Sequence, residues 1–395
     1  MSINEMGVKV STNDKQTLSL YIHIPFCNSK CNYCSFVSSV APDSVKTAYM
    51  STLSHEIKMQ AKVYAPIYSV SSIYIGGGTP SCLDNFCIKD LLSCIYKNFA
   101  VKNTAEITIE INPNSITSEK IREYILSGVN RFSIGLQSLS SKVLSDMGRT
   151  HTFEDFKNTL NMIYDQGIKN VNADIIIGYP KQTLASVKET LNYLIKMKIP
   201  HISAYMLQVE KNTKLQALVD SGSVGLPKES TVIKMYNYVY NTLKTYGYER
   251  YEISNFAKPS YKSYHNQIYW QRKDYLGLGL AAHSYVDGIR FSNTENLKEY
   301  INSIENKQKV PVSLYKKLTE EEKKEEMIML SLRTSNGLDI NEYKKEFNEN
   351  LLAKKKDIIK KLITNKYLTL TKDNKLKCTE KGFLVINQII LELIV

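Results

Sequence analysis

The sequence predicts an α/β protein built on a parallel sheet, and three observations support this prediction. Between about residues 18 and 210, six short apolar runs alternate with amphipathic stretches. The runs are rich in Ile, Val, Tyr and Thr and end in Gly, Pro or Asn, which is typical of strands. Distinctive polar residues follow these runs or lie late within them. Strand–helix alternation indicates βα units, and six nearly continuous apolar strands predict a sheet covered on both faces, or a barrel.

The predicted elements follow one another in a regular order. The strand candidates are LSLYIHIPF, SSIYIGGGT, EITIEINP, RFSIGLQS, NVNADIIIGYP and HISAYMLQV. The helix candidates between and after them lie near 44–63, 84–98, 117–127, 152–167, 183–197 and 228–246. Thr117 and Asp84 are candidate N-caps, because their side chains can accept hydrogen bonds from the first turn.

The pattern changes after about residue 227. The motif YEISNFA and a tract dense in Tyr, His and Gly (261–291) are followed, beyond 315, by charged helical sequence. We therefore predict a polar N-terminal tail (1–17), a sheet domain (18–255), a connecting region (256–314) and a smaller, mostly helical C-terminal domain (315–395).

Charge and hydropathy narrow the class of protein. Lysine and arginine outnumber aspartate and glutamate by 51 to 39, giving a formal net charge of +12. The basic residues are dispersed, which favours a solvated basic surface over a nucleic-acid site. No segment approaches the roughly 20 apolar residues of a membrane span, and the polar N-terminus does not resemble a secretory signal. These features predict a cytoplasmic protein.

Three of the seven cysteines fall within eight residues, as Cys27-x3-Cys31-x2-Cys34. Thiolates hold iron–sulfur clusters, and three local cysteines leave one iron of a [4Fe–4S] cubane open. The amino and carboxylate groups of S-adenosylmethionine (SAM) can chelate that iron. A structural zinc site is the alternative, with His23 as a fourth ligand. We interpret the other cysteines as small buried hydrophobes: Cys82, Cys87, Cys94 and Cys378.

Residues 21–34 resemble the radical SAM superfamily in its coproporphyrinogen-oxidase-like branch. The resemblance continues in GGGTP (76–80), EINP (110–113), GLQS (135–138), MGRTH (147–151), ADIIIGYP (173–180), YEISNFA (251–257), HNQIYW (265–270) and DYLGLGLAAHS (274–284). It implies a partial (β/α)6 barrel with SAM-contacting residues at Tyr21, Tyr33, Gly77, Gly78, Thr79, Glu110, Gln137, Arg149 and Asp174.

Each of these residues also has a simpler interpretation. The glycines suit a tight βα turn, the Glu110 carboxylate suits a cap or the surface, and Tyr21 suits the core. In the oxidases of this branch a second SAM lies near positions matching Tyr33, Gln137, Arg149 and Asp174; the sequence does not decide whether that second site is kept.

Two departures separate this chain from the oxidases of the branch. A further cysteine follows two residues after the third in those enzymes, where this sequence has Phe36. Only about twenty polar residues precede the first strand, which are too few for the oxidases' N-terminal lid.

The motif HNxxYW instead resembles the HemW family of heme chaperones. It implies a heme site at His265, Asn266, Tyr269 and Trp270. An imidazole is a common heme ligand and aromatic rings can lie against the macrocycle. His283 is a rival iron ligand, and a core aromatic cluster with a hydrogen-bonded His265 is the structural alternative.

Three functions follow for testing. The first is a heme chaperone that transfers heme to acceptors such as membrane-associated respiratory proteins, as a monomer or dimer without nucleic acid. The second is an oxygen-independent coproporphyrinogen III oxidase of heme biosynthesis, which decarboxylates propionates by hydrogen abstraction. The third is a radical SAM enzyme acting on another substrate, such as RNA. Whether the chain cleaves SAM as an enzyme is left open by the sequence.

Overall fold

The structure is a computed structural model that describes residues 15–394. The predicted N-terminal tail lies outside this range except for its last three residues, of which Gln16 and Thr17 begin the first strand. The strands are β1 (Gln16–Ile24), β2 (Tyr68–Gly77), β3 (Val101–Ile111), β4 (Arg131–Gln137), β5 (Val171–Ile177), β6 (His201–Met206), β7 (Glu249–Arg250), β8 (Asn255–Ala257), β9 (Tyr275–Leu278), β10 (His283–Val286), β11 (Ile289–Asn293), β12 (Val312–Lys317), β13 (Leu338–Asp339), β14 (Leu368–Leu370) and β15 (Lys375–Cys378).

Helices separate the strands along the chain. They are α1 (Asp43–Tyr64), α2 (Asn85–Asn98), α3 (Ser118–Leu126), α4 (Ser141–Asp146), α5 (Phe153–Asp165), α6 (Leu184–Lys196), α7 (Lys214–Asp220), α8 (Glu229–Thr245), α9 (Tyr264–Trp270), α10 (Leu297–Lys307), α11 (Glu320–Leu332), α12 (Ile340–Phe347), α13 (Leu351–Lys354), α14 (Lys356–Thr364), α15 (Glu380–Leu384) and α16 (Ile386–Ile394). None of the helices within residues 15–394 has the length and apolarity to cross a membrane.

The central sheet confirms the predicted parallel α/β fold. Strands β1 to β6 pair side by side in chain order, all parallel, as in a partial (β/α)6 barrel. The six predicted strands and six predicted helices are all present, and each helix boundary lies within two residues of its prediction. Thr117 caps α3 by accepting from the Lys120 N–H at 3.3 Å, whereas the Asp84 side chain makes no capping hydrogen bond.

The two faces of the sheet differ more than the sequence prediction allowed. Apolar side chains such as Leu20, Ile22 and Ile75 pack against the surrounding helices in the main core. The opposite face carries polar residues at every second position, because side chains alternate along a strand. These line the lumen of the partial barrel: Ser19, Tyr21, His23, Ser72, Tyr74, Thr108, Glu110, Ser133, Asn172, Asp174, His201, Ser203 and Tyr205. The strands are therefore apolar on one face only.

The cysteines outside the triad are less buried than predicted. Cys378 is buried, but Cys82, Cys87 and Cys94 are half-buried. These three still pack against the edge of the main core, because each lies on or beside helical sequence that has one face toward solvent.

The segment predicted as a connection, 256–314, is built into the main sheet. Strand β9 pairs in parallel with β1, and β10, β11 and β12 extend this edge. The buried Glu56 carboxylate fixes the segment to α1 by accepting from the Gly279 N–H (2.7 Å), the Asn293 amide (2.6 Å) and the Tyr300 hydroxyl (2.5 Å). Sequence periodicity did not reveal this pairing, because it joins residues about 250 positions apart along the chain.

A second core lies at the C-terminal end of the chain. Helices α11 to α16 enclose apolar residues together with a small sheet ordered β13-β15-β14. Arg272 joins the two cores through a two-pronged ion pair with Glu346 (2.9 and 3.3 Å), and Arg290 pairs with Glu326. Arg272 directly follows α9, so the C-terminal domain packs against the same end of the barrel as that helix.

Candidate functional site at the barrel mouth

The cysteine triad lies on the loop after β1, at the carboxyl ends of the parallel strands β1 to β6. We call this end of the barrel its mouth. The three thiols are free and partly exposed. The Thr79 hydroxyl lies 3.6 Å from the Cys27 sulfur, and the Lys30 ammonium closes the loop on the Phe36 carbonyl (2.5 Å) and the Ser38 hydroxyl (2.8 Å). Burial raises the pKa of the Cys34 thiol, and the other two cysteines are close enough to raise it further. The thiols thus occupy one small region.

The loop offers the thiolate ligands of an iron–sulfur cluster. In a cubane each thiolate binds a different iron, so the thiols have to surround a volume. Three free thiols on one loop can bind three irons and leave one iron for another ligand.

The glycine stretch after β2 packs tightly against residues of the mouth. A Cβ on Gly76 would lie 2.7 Å from the Glu110 Cδ, and one on Gly78 would lie 2.5 Å from the Phe26 carbonyl oxygen. Gly77 has φ +107° and a Cβ there would lie 2.5 Å from the His23 ring. Glycine is required at these positions by the contacts of the protein itself, and the tight-turn interpretation therefore holds alongside any ligand contact.

Two carboxylates face the lumen from β3 and β5. Glu110 accepts from the Tyr74 hydroxyl (2.7 Å) and the Gly77 N–H (3.1 Å), and Asp174 accepts from Ser133 (3.0 Å) and Asn172 (2.9 Å). Burial raises the pKa of Glu110 to about 7. The hydrogen bond from Tyr74 opposes this shift, and the nearby Asp174 adds to it. Burial also raises the pKa of Asp174. Both side chains are surrounded by protein yet keep an open face toward the lumen.

Gln137, Arg149 and Tyr33 form the opposite side of the mouth. Gln137 has φ +66°, a left-handed conformation that is unfavourable for residues other than glycine. It lies beside a register shift between β4 and β5. The Arg149 guanidinium donates to the Tyr33 hydroxyl at 3.2 and 3.4 Å. A Cβ on Gly135 would lie 3.1 Å from both the Arg149 and the Gln137 side-chain nitrogens, so these two groups are neighbours.

The mouth thus brings together the predicted SAM residues, with several that the sequence interpretation missed. Tyr21 lies in the lumen beside His23, whose other ring nitrogen bonds the Val37 carbonyl of the cysteine loop at 2.8 Å. Tyr74 and Tyr205 reach the same space as Glu110 and Asp174. The polar alternation of the strands is the sequence signal that would have found them.

The predicted heme motif lies at the other end of the lumen. Helix α9 closes the amino-terminal end of the barrel, which we call its floor. The Glu106 carboxylate caps this helix by accepting from the Tyr264 N–H (2.9 Å) and the His265 N–H (3.0 Å). His265 is fully buried, with Ser72 at 2.8 Å from Nδ1 and Tyr269 at 2.8 Å from Nε2. Burial lowers the pKa of His265 to about 3. Both ring nitrogens of His265 are hydrogen-bonded, as in the alternative of a core aromatic cluster with a hydrogen-bonded histidine.

The remaining members of the motif are half-buried in the same helix. Asn266, Tyr269 and Trp270 each keep part of their surface open, and the Tyr269 ring meets Tyr275 edge-on at 4.6 Å. The motif is therefore not assembled with the cysteine triad, and the lumen separates the two. His283, the rival ligand, is exposed at the start of β10. Burial lowers the pKa of His23, and the nearby His283 lowers it further.

Comparisons with known proteins agree with this architecture. The family model described as the Radical SAM superfamily matches residues 21–194, and the HemN C-terminal domain model matches residues 318–385. The heme chaperone HemW of Lactococcus lactis is 31% identical, with 92% of this chain and 94% of that protein covered. HemW of Bacillus subtilis is 32% identical (94% and 97% covered), and HemW of Escherichia coli is 36% identical (68% and 70% covered).

A solved structure shows the same fold. The coproporphyrinogen III oxidase HemN of Escherichia coli superimposes with a TM-score of 0.84 at 24% identity, covering 96% of this chain and 90% of that one. At this identity the match establishes the fold and not the reaction. With the radical SAM family match and the free thiols of the loop, a [4Fe–4S] cluster and SAM are the cofactors of this scaffold. The chain belongs to the HemW family within the radical SAM superfamily.

Proposed function

We propose that this protein binds heme and delivers it to heme-accepting proteins, including membrane-associated respiratory proteins. The observation that carries the proposal is Phe36, which lies 65% exposed on the cluster loop where the oxidases of the branch have a further cysteine. The heme chaperone relatives, which match nearly the whole chain, support the same function.

Cys27, Cys31 and Cys34 would hold the cluster, and the lumen residues would hold SAM. When bound, this pair can supply electron transfer into the sulfonium of SAM. Glu110 and Asp174 offer acceptors to hydroxyl or ammonium groups. The remaining proposed SAM contacts surround them: Tyr21, Tyr33, Gly77, Gly78, Thr79, Gln137 and Arg149.

For the heme iron, His283 is the better placed of the two candidate ligands. Its imidazole is exposed and makes no hydrogen bond within residues 15–394. Two hydrogen bonds hold the segment before it, from the Leu280 N–H to Tyr49 (3.0 Å) and from the Ala281 N–H to the Thr294 carbonyl (2.9 Å). Ligation by His265 requires α9 to leave the floor of the barrel, with Asn266, Tyr269 and Trp270 moving too.

One experiment tests both the function and the ligand. The cluster is reconstituted anaerobically, hemin is titrated while the Soret band is followed, and heme-loaded protein is then mixed with heme-depleted respiratory membrane vesicles. We expect saturable binding and transfer, with the Soret band shifted in His283→Ala and unchanged in the control His55→Ala, which removes an imidazole that is already paired with Glu305.

The opposite outcomes are equally informative. A Soret band that shifts only in His265→Ala would move the ligand to α9. Conversion of coproporphyrinogen III to protoporphyrinogen with SAM and a reductant, or no saturable heme binding, would overturn the chaperone function.

A further inference from the structure

A chain of buried hydrogen bonds runs from Asp174 at the mouth toward the floor of the barrel. Asn172 donates to the Asp174 Oδ1 at 2.9 Å, and His201 Nδ1 lies 2.6 Å from the Asn172 Oδ1. His201 Nε2 lies 2.7 Å from the Tyr251 hydroxyl. Asn172, His201 and Tyr251 are all at most 5% exposed. None of them belongs to the predicted SAM set.

One consistent set of donors and acceptors satisfies every bond in this chain. The Ser263 N–H donates to the Tyr251 hydroxyl at 3.3 Å, and the hydroxyl proton is directed to His201 Nε2, an acceptor 2.7 Å away. Burial holds the pKa of His201 well below its ordinary value, so the ring is neutral and carries one proton. With Nε2 accepting, that proton lies on Nδ1 and is donated to the Asn172 oxygen.

The last links fix the carboxylate itself. With its oxygen accepting from His201, the Asn172 amide must present its NH2 group to Asp174 and to the Ser133 hydroxyl (2.7 Å). The Ser133 proton then points to the Asp174 Oδ2 at 3.0 Å. Both oxygens of Asp174 are thereby oriented, and their remaining lone pairs face the lumen.

The far end of the chain is anchored outside the barrel. The Tyr251 carbonyl accepts from the Ser335 N–H at 3.1 Å, and the backbone of Glu252 forms an isolated antiparallel β-bridge with that of Thr334. Ile253 packs against the C-terminal core. The C-terminal domain therefore holds the backbone that carries Tyr251.

We propose that His201 and Tyr251 are positioning residues for SAM, which act by holding the Asp174 carboxylate in its binding orientation. The inference rests on the proposed assignment of Asp174 to SAM. It explains why a neutral histidine with one fixed tautomer lies fully buried below that carboxylate. Breaking a bond in this chain leaves a buried polar group without its partner and frees the Asn172 amide to turn, and we expect SAM binding to weaken by about tenfold.

The test measures SAM affinity of the reconstituted full-length protein by equilibrium dialysis. We expect Tyr251→Phe and His201→Leu to weaken binding about tenfold, and His201→Gln to restore most of it, because an amide can both accept from Tyr251 and donate to Asn172. The control is Tyr248→Phe, which removes another buried hydroxyl, one that bonds the Ile199 carbonyl and not this chain.

A second readout separates positioning from folding. In cluster-free protein labelled with 15N-histidine, the His201 ring should show the neutral Nδ1–H tautomer, and the Nε2 resonance should shift in Tyr251→Phe, which removes the hydrogen bond that this nitrogen accepts. Wild-type affinity in Tyr251→Phe, or equal losses in His201→Gln and His201→Leu, would overturn the inference alone. Unchanged SAM binding in Asp174→Asn, or none in the wild type, would overturn the SAM assignment of the proposed function as well.

Discussion

The mouth and the floor of the barrel use similar residues in opposite ways. At the mouth, thiols are free, Gln137 is held in a left-handed conformation and the His283 imidazole is exposed. At the floor, His265 has both ring nitrogens bonded and Glu106 caps a helix. The free thiols and the exposed imidazole of the mouth are open to a ligand, whereas the bonded ring of His265 is part of the packing of the floor.

This contrast shows that residue type alone does not identify a ligand site. His265 and His283 both lie in motifs typical of the family, yet only His283 presents an unengaged imidazole. Burial and hydrogen bonding distinguish the two imidazoles, and neither can be seen in a single sequence.

The largest effect that we expect at the mouth is loss of the iron–sulfur cluster. Cys31→Ser removes one of the three thiolates, and we expect most of the iron, sulfide and visible absorption to disappear after anaerobic reconstitution. Cys87→Ser on α2 is the matched control and should keep the wild-type iron content. Full iron content in Cys31→Ser, or bound zinc in the wild type, would contradict the cluster assignment.

The next effect concerns the floor. Glu106→Ala leaves the Ser263 hydroxyl and the Tyr264 and His265 N–H groups without their acceptor. We expect the free energy of unfolding in urea to fall by about 2 kcal/mol.

The control for the floor is a second helix-associated glutamate. Glu119→Ala, on the exposed first turn of α3, should change the free energy of unfolding by less than about 0.5 kcal/mol. Equal effects in the two variants would show that α9 does not close the barrel as a structural element.

Most of the fold could be predicted, because local patterns determine it. The alternation of apolar runs and amphipathic helices placed β1 to β6 and their helices correctly. The pairing of β9 with β1 could not be predicted, since it depends on which strand edge is left free once the sheet has formed. The predicted connecting region, 256–314, did not include this pairing.

Sequence could likewise place some residues of the candidate site and not others. Residues at the carboxyl ends of parallel strands meet at one edge, so Glu110, Gln137 and Asp174 could be placed together from sequence. The docking of α9 could not, because His265 is fixed by Ser72 and Glu106, more than 150 residues earlier in the chain. The network below Asp174 was visible only as polar alternation, which the prediction of nearly continuous apolar strands overlooked.

A smaller effect distinguishes Glu110 at the mouth by its pH dependence. Burial raises the pKa of this carboxyl from its ordinary value of 4.5 to about 7 in the folded protein. Between these pH values the folded state keeps a proton that the unfolded state has released. The contribution of Glu110 to stability is therefore complete below about pH 4.5 and is lost as the pH rises through about 7.

Glu110→Gln cannot ionise and removes this dependence. In cluster-free protein we expect the variant to gain of the order of 2 kcal/mol relative to the wild type between pH 4.5 and 7.5, measured by urea unfolding. Glu252 has a similar raised pKa but is present in both proteins and cancels. A stability difference that is constant with pH would show that Glu110 is ionised in the folded protein throughout this range.

The smallest effect tests the residue that separates this chain from the oxidases. Phe36→Cys restores the spacing C-x3-C-x2-C-x-C, and because the side chain is 65% exposed, stability should change by less than about 0.5 kcal/mol. We expect unchanged iron content and no coproporphyrinogen III oxidation, since three thiolates already leave the one open iron that SAM requires. Val40→Cys, 64% exposed and outside the spacing, is the control. Oxidation by Phe36→Cys but not by Val40→Cys would mean that one side chain on the cluster loop, rather than the whole mouth, divides the two functions.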